Sequence, residues 1–363
     1  MERRLKQVST PFGRSLPLTN SEKVGTMTEL RYRQIHLDFH TSEEIPGIGS
    51  KFNADEFADT LQAAHVNSIT CFARCHHGWI YHYSDKYKAI QHPHLERDLL
   101  REQIEACHAR DIRVPIYVTV QWDLHTVKEH PEWLTMDANG CHTGTPPFQA
   151  GFYTKLCLNT GYVDWLEEYV ADICDTLPTD GFFFDIVDKV DCSCRQCIKG
   201  MLEAGLDPSS PADRMDWAGR VLQRFEERLT KVVQSKHPEA TIFYNAGHIG
   251  PHHRSILPNY THLELESLPS GGWGYMHFPL TQRFARNLHL DTMGMTGKFH
   301  TSWGDFESLK NPLALEFECQ NMLALAAKCS IGDQLHPTGQ ISKATYELVR
   351  SEEHTSELQS PNT

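Results

Sequence analysis

The residues with the clearest chemical content lie in the run Asp180-Gly-Phe-Phe-Phe-Asp-Ile-Val187. A short apolar run opened by an Asp-Gly turn pair reads as a buried parallel strand, and Asp185 falls where that strand ends. A carboxylate there is costly to desolvate unless it has a partner or a task. In an α/β barrel the C-terminal ends of the strands carry the chemistry, so Asp185 reads as a catalytic carboxylate. The plainer alternative is a brace for a basic residue beneath it. A second acid is expected at another strand end. Glu264 and Glu266 point the same way along a later apolar run. Glu266 lies nearer that run's end, just before Pro269-Ser-Gly-Gly-Trp273. Asp305 and Asp333 compete with it. Two facing carboxyl groups can act as proton donor and nucleophile.

Other groups gather at predicted strand ends. His36, Asp38 and His40 share one face of the first strand by the two-residue period. His76 and His77 follow the second strand, and Asn245 and His248 follow the fifth. Trp122, Trp273 and Trp303 offer flat apolar faces that stack on a sugar ring or fill the floor of a cleft. Cys192-Ser-Cys194-Arg-Gln-Cys197 directly follows the Asp185 strand. Three thiols at this spacing hold a structural Zn²⁺ if a fourth ligand comes from elsewhere; otherwise they are free thiols in a packed loop.

The elements that must position these groups alternate strand and helix between residues 32 and 349. Strands are expected at Tyr32–His40, Ser68–Arg74, Arg113–Trp122, Asp180–Val187, Thr241–Asn245, Thr261–Leu268, Asp291–Thr301 and Cys329–Gln334. The intervening helices are expected near 53–64, 95–110, 162–176 and 211–235, with a long insertion at 123–158 lying over part of the cleft. Eight strand candidates favour an α/β fold of the closed (β/α)8 TIM-barrel type over an open doubly wound sheet. No glycine-rich dinucleotide turn follows the first strand, which weakens the Rossmann alternative.

Composition sets the outer bounds. The 363 residues carry 47 acidic and 34 basic side chains, a formal net charge of −13. No basic stripe is present, so nucleic acid is not an expected partner. Neither a secretory apolar segment nor an 18-residue apolar stretch is found, so no membrane association is expected. Eleven scattered cysteines then suggest reduced thiols in a cytoplasm. The sequence leaves a homo-oligomer open. Residues 1–27 read as a loose polar arm and 28–349 as the catalytic barrel. Residues 350–363, beginning Arg350-Ser-Glu-Glu-His-Thr-Ser-Glu-Leu-Gln-Ser360, resemble a translated sequencing adapter. On that reading the tail is not native and the last helix is cut short.

In this order the pieces resemble the barrel of the retaining α-L-fucosidases of glycoside hydrolase family 29, its relatives in family 151 and the hypothetical glycosyl hydrolases grouped with them. Phe72-Ala-Arg-Cys-His-His-Gly-Trp79 is similar to the Ala-Lys-His-His-Asp-Gly-Phe run of that family. Asp180-Gly-Phe-Phe-Phe-Asp185 is similar to its Asp-Gly-Leu-Trp-Phe-Asp segment, and His36 matches its sugar-binding His. The resemblance covers residues 31–190 well and the rest by element order. It implies an exo-glycosidase that hydrolyses terminal α-L-fucosides by double displacement, with no cofactor in the reaction. Asp185 would be the nucleophile and Glu266 the acid/base, its proton retained beside an apolar wall such as Trp273. His36, His76 and His77 would contact sugar hydroxyls, with Trp122, Phe183, Asn245 and Trp273 around them, and an oligosaccharide or glycoside would be the partner. Gly78 stands where the family has Asp, and Phe183 where it has Trp. Three rival readings are a β-galactosidase-like barrel, a carbohydrate-binding barrel without a second carboxylate, and a metal-dependent amide or ester hydrolase built on the many His.

Overall fold

Eight apolar runs become eight parallel strands in the computed structural model, which describes residues 29–145 and 153–351. They are β1 (Arg33–Asp38), β2 (Ser68–Arg74), β3 (Pro115–Thr119), β4 (Gly181–Asp185), β5 (Thr241–Asn245), β6 (His262–Glu266), β7 (Asp291–Gly297) and β8 (Lys328–Gln334). The hydrogen-bonded order is β5-β4-β3-β2-β1-β8-β7-β6, a nearly closed (β/α)8 barrel. At the seam between β5 and β6, Thr261 takes the place of a ladder. Its N–H donates to the Ile242 carbonyl at 3.0 Å, and its hydroxyl accepts the Ile242 N–H at 2.7 Å. Several strands are shorter than expected because the chain leaves the ladder at the mouth to form loops: β1 stops at Asp38, and β6 at Glu266.

The helices are α1 (Ala54–Ala63), α2 (Leu99–His108), α3 (Leu124–Glu129), α4 (Tyr162–Thr176), α5 (Arg195–Glu203), α6 (Pro211–Lys236), α7 (His277–Ala285), α8 (Pro312–Ala324) and α9 (Lys343–Ser351). The buried stripe of α4 runs through Tyr162, Leu166, Tyr169, Val170 and Ile173, as the 3.6-residue period requires. Ser210 caps α6 by accepting the Asp213 N–H, and Pro211 follows at the first helical position. Four helices lie outside those named from the sequence: α3 inside the 123–158 insertion, α5, which begins within the cysteine motif, and α7 and α8 between the later strands. No described helix is long and apolar enough to cross a membrane. The expected N-terminal arm and the adapter-like tail lie outside the described residues, apart from Arg350 and Ser351 at the end of α9.

Alternation along β4 decides what the barrel holds. Phe182 and Phe184 face the helices, where Phe184 stacks on Tyr244 at 5.2 Å. Phe183 and Asp185 point inward. All three Phe side chains are buried, each contributing roughly 2–3 kcal/mol of apolar transfer free energy. Inside, Tyr117 lies flat on Phe72 at 3.6 Å and parallel to Phe183 at 5.8 Å. This aromatic layer is the floor of the mouth. Another interior group is polar but satisfied: Glu264 accepts from Gln34 at 3.0 Å and pairs with His262 at 3.0 Å. Gly181 is required because a Cβ there would meet Thr241 Oγ1 at 2.1 Å, too close for β4 and β5 to pair.

Candidate active site

Register brings the polar strand ends to one level. Thr119, Asp185 and Asn245 are ladder neighbours across β3, β4 and β5. Asp38 pairs with Gln334, and Glu266 with Met295. These residues, Thr119 excepted, line a cavity of about 630 Å³ at the C-terminal ends of the strands. Immediately after Asp185 the chain turns sharply: Ile186 adopts φ 57, a left-handed conformation that is strained for a β-branched residue.

Asp185 is held from two sides. Tyr117 Oη donates to Oδ2 at 2.5 Å, and Asn245 Nδ2 donates to Oδ1 at 2.8 Å. The same Asn245 nitrogen lies 3.3 Å from Glu266 Oε2. The two carboxylate oxygens therefore cannot be further apart than 2.8 and 3.3 Å laid end to end, 6.1 Å. Trp303 Nε1 donates to the other Glu266 oxygen at 2.8 Å. Burial pushes the Glu266 carboxyl up to about 7, opposed by the Trp303 and Asn245 donors and assisted by the charges of Asp185 and Asp38. Glu266 is thus largely protonated below neutrality, while Asp185 accepts hydrogen bonds from two donors.

His76 lies 3.6 Å from Asp185 Oδ2 through Nε2. Its tautomer follows from its other neighbour. The Thr119 hydroxyl donates to the Trp122 carbonyl at 2.6 Å, so its oxygen accepts the Nδ1 proton of His76 at 2.7 Å. The lone pair on Nε2 then faces the site. Burial, with His40 and His77 nearby, holds this ring well below its ordinary value. His40 braces it, stacking on His76 at 4.0 Å, accepting the His76 peptide N–H at 3.1 Å and contacting Asp38 at 3.0 Å. His36 sits near the barrel axis, its ring 4.7 Å from Phe183 and 5.1 Å from Trp303. Burial lowers its pKa, so it too is neutral.

Most residues singled out in the sequence converge here: His36, His76, Trp122, Phe183, Asp185, Asn245, Glu266, Trp273 and Trp303 all line the cavity. His77 does not. Its carbonyl accepts the His125 N–H at 3.1 Å, and its ring lies outside the cavity lining. Nor do Glu264, His248, Asp305 or Asp333 line it. The expected wall beside the second acid is Trp303 in direct contact, with Trp273 further along the cavity. Tyr117 falls in the Ile116-Tyr117 pair that resembles the family's third-strand pattern, but that resemblance attaches no role to it. The two-residue step from Thr119 puts it on the inward face of β3 beneath Asp185. Lys155 and Asp188, paired at 2.9 Å on the rim, carry no motif at all.

Gly78 also has a physical basis. Its φ is 90, and a Cβ would lie 2.3 Å from Asp123 Oδ1. Asp123 is committed there, capping α3 through the Thr126 N–H at 2.9 Å and pairing with the buried Arg74, whose guanidinium covers Trp165 at 4.3 Å. Beside the cavity, Cys192, Cys194 and Cys197 are joined by Cys157. The four sulfur atoms lie within 4.8 Å of one another, and all four residues are buried. Among the described residues no other group of three His, Cys, Asp or Glu converges in this way.

Residues 53–186 match the family model described as hypothetical glycosyl hydrolase 6. α-L-Fucosidase isoenzyme 2 from Paenibacillus thiaminolyticus is 44% identical, with a TM-score of 0.87 over 92% of this chain and 51% of that one. This chain therefore spans about half the length of that relative. The PgaB (BpsB) glycoside hydrolase domain from Bordetella bronchiseptica (12% identity, TM-score 0.66, 92% of this chain and 99% of that one) shares the fold. So does the β-galactosidase from the psychrophilic Marinomonas ef1 (11% identity, TM-score 0.63, 90% and 60%). No curated protein matches the sequence. The likeness to the 44%-identical α-L-fucosidase thus extends over most of this chain, while that to the hypothetical glycosyl hydrolases covers residues 53–186.

Proposed function

We propose that the chain is the catalytic barrel of a retaining exo-glycosidase acting on terminal α-L-fucosides. The observation that carries this reading is the single Asn245 amide shared by Asp185 and Glu266, which keeps their facing oxygens within 6.1 Å. Double displacement uses carboxyl groups about 5–5.5 Å apart and inversion about 6.5–9.5 Å; one amide nitrogen reaching both acids favours the closer spacing without fixing it. Asp185, oriented by Tyr117 and Asn245, attacks the anomeric carbon as the glycosidic bond breaks. Glu266 gives its proton to the leaving oxygen. In the second half Glu266 takes a proton from the incoming water, which displaces Asp185 and releases the sugar. His76 Nε2 accepts a hydrogen bond from a sugar hydroxyl. Trp122, Trp273 and Trp303 supply apolar faces, and no cofactor takes part. Similarity to the 44%-identical protein named an α-L-fucosidase supports fucose as the sugar. The presence of Glu266 across from Asp185 counts against a binding barrel lacking a second acid. Eleven thiols with no disulfide among the described residues favour a reducing compartment such as cytoplasm.

A panel of nitrophenyl glycosides tests this reading. The α-L-fucoside should be hydrolysed with retention of anomeric configuration. Asp185→Gly should lose on the order of 10³-fold or more in kcat, and azide should restore turnover with formation of the inverted fucosyl azide. Activity surviving unrescued in that variant, or an inverted product from the wild type, would overturn the assignment.

A further inference from the structure

We infer that Cys157, Cys192, Cys194 and Cys197 form a tetrathiolate Zn²⁺ site that clamps two walls of the cavity together. The sulfur of Cys157 lies 3.5 Å from that of Cys197 and 3.7 Å from those of Cys192 and Cys194. A disulfide needs about 2.05 Å, so these are not bonded pairs. A tetrahedron with metal–sulfur bonds of about 2.3 Å has edges of about 3.8 Å, close to the observed spacing. Four sulfur ligands within 4.8 Å surround one ion and are too tight to enclose a cluster of several irons.

The surroundings are those of thiolates rather than packed thiols. Three N–H groups point at sulfur: the Cys194 peptide at Cys192 (3.4 Å), the Asn159 peptide at Cys157 (3.4 Å) and Asn159 Nδ2 at Cys197 (3.7 Å). Donors aimed at sulfur stabilise a buried anionic ligand and fix its direction. The chain arrangement is also that of a closed site. Two ligands precede α5, a third lies in its first turn, and the fourth comes from a separate segment before α4. Binding consumes one Zn²⁺, and the four thiols release their four protons to solvent.

The position gives the clamp a purpose. Lys155 and Asp188, paired at 2.9 Å on the cavity rim, lie two residues before Cys157 and four before Cys192. Their backbones have little regular ladder between them, so the ion would set the spacing of the two wall segments.

Metal content is measured independently of sugar hydrolysis, so this inference stands or falls apart from the glycosidase reading. The full chain, purified from zinc-replete culture without an affinity metal, should contain about one zinc per chain and be colourless. A mercurial reagent should release that zinc into a chromogenic chelator as about four thiols react beyond the exposed Cys141. Cys157→Ser should lose most of the zinc, while Cys174→Ser, buried outside the cluster, should keep it. If Cys157→Ser does not fold, the stoichiometry and mercurial release of the unaltered chain decide the matter. Zinc below about half an equivalent in folded protein, iron in its place, or equal zinc in both variants would overturn the site.

Discussion

The indole N–H of Trp303 donates to Glu266 Oε1 at 2.8 Å, and so opposes the burial that raises this carboxyl to about 7. A hydrogen bond to the anionic form favours ionisation. If Glu266 is the proton donor proposed above, its acid form is the active one in the first chemical step, and kcat/KM should fall as pH rises through about 7. Trp303→Phe removes the donor and leaves burial in place, so the alkaline limb should move upward by about one unit. A pH–rate profile of both proteins on a nitrophenyl fucoside checks this. An unchanged limb would remove Glu266 from the acid role.

Asn245 is the second donor to the pair, and one nitrogen serves both oxygens. Asn245→Ala leaves Asp185 with Tyr117 alone and removes the group that screens two acids from each other. The expected loss in kcat is roughly 10–100-fold, the range for deleting one positioned donor in a water-poor site. The alkaline limb should also rise, because Asn245 favours ionised Glu266. A change in KM alone would make Asn245 a sugar contact and nothing more.

Gly78→Asp would install the residue that the fucosidase run carries at this point. The structure leaves no room for it. Its Cβ would lie 2.3 Å from Asp123 Oδ1 and 2.6 Å from His125 Cβ, at φ 90, and it would bring a second negative charge to the buried Arg74–Asp123 pair. A loss of about 3 kcal/mol or more is expected, from backbone strain and disruption of the buried pair. Denaturant unfolding measures it. A variant as stable as the wild type would show that the turn can be rebuilt.

The parts of the fold legible in sequence are those fixed by local pattern. The α4 limits follow from an apolar stripe at helical period, and the β2 and β5 limits from short buried runs bounded by polar residues. Asp185 is legible because a lone carboxylate ending an aromatic strand is costly to bury without a partner or a task. Glu266 can be separated from Glu264 by its distance from the strand end, and the structure adds the reason: Glu264 is absorbed by Gln34 and His262 inside the barrel. Cys157 is not legible as the fourth sulfur, nor Tyr117 as the donor to Asp185. Both relations span tens of residues and depend on how strands and loops meet in space. His77 shows the opposite limit: adjacent residues after a strand point in different directions, so only one of two neighbouring His reaches the cavity.

Away from the cavity, α6 carries a carboxyl that should make the barrel's stability depend on pH. Glu226 is fully buried and accepts from Tyr260 Oη at 3.0 Å and Asn259 Nδ2 at 3.3 Å. Burial outweighs these donors and pushes it up to about 8. A raised carboxyl pKa means that the folded chain holds a proton which the unfolded chain releases above its ordinary value. Stability from this group is therefore full below about 4.5 and falls as pH rises towards about 8, at up to ~1.4 kcal/mol per unit. Glu226→Gln carries no proton to lose. The difference in unfolding free energy between variant and wild type should move in favour of the variant between about pH 5 and 8, as the wild-type carboxyl is forced to ionise. Urea unfolding at several pH values reads that difference directly, since the other titrating groups cancel. A difference that stays flat with pH would mean that Glu226 ionises freely in the folded barrel, with water or a cation reaching it.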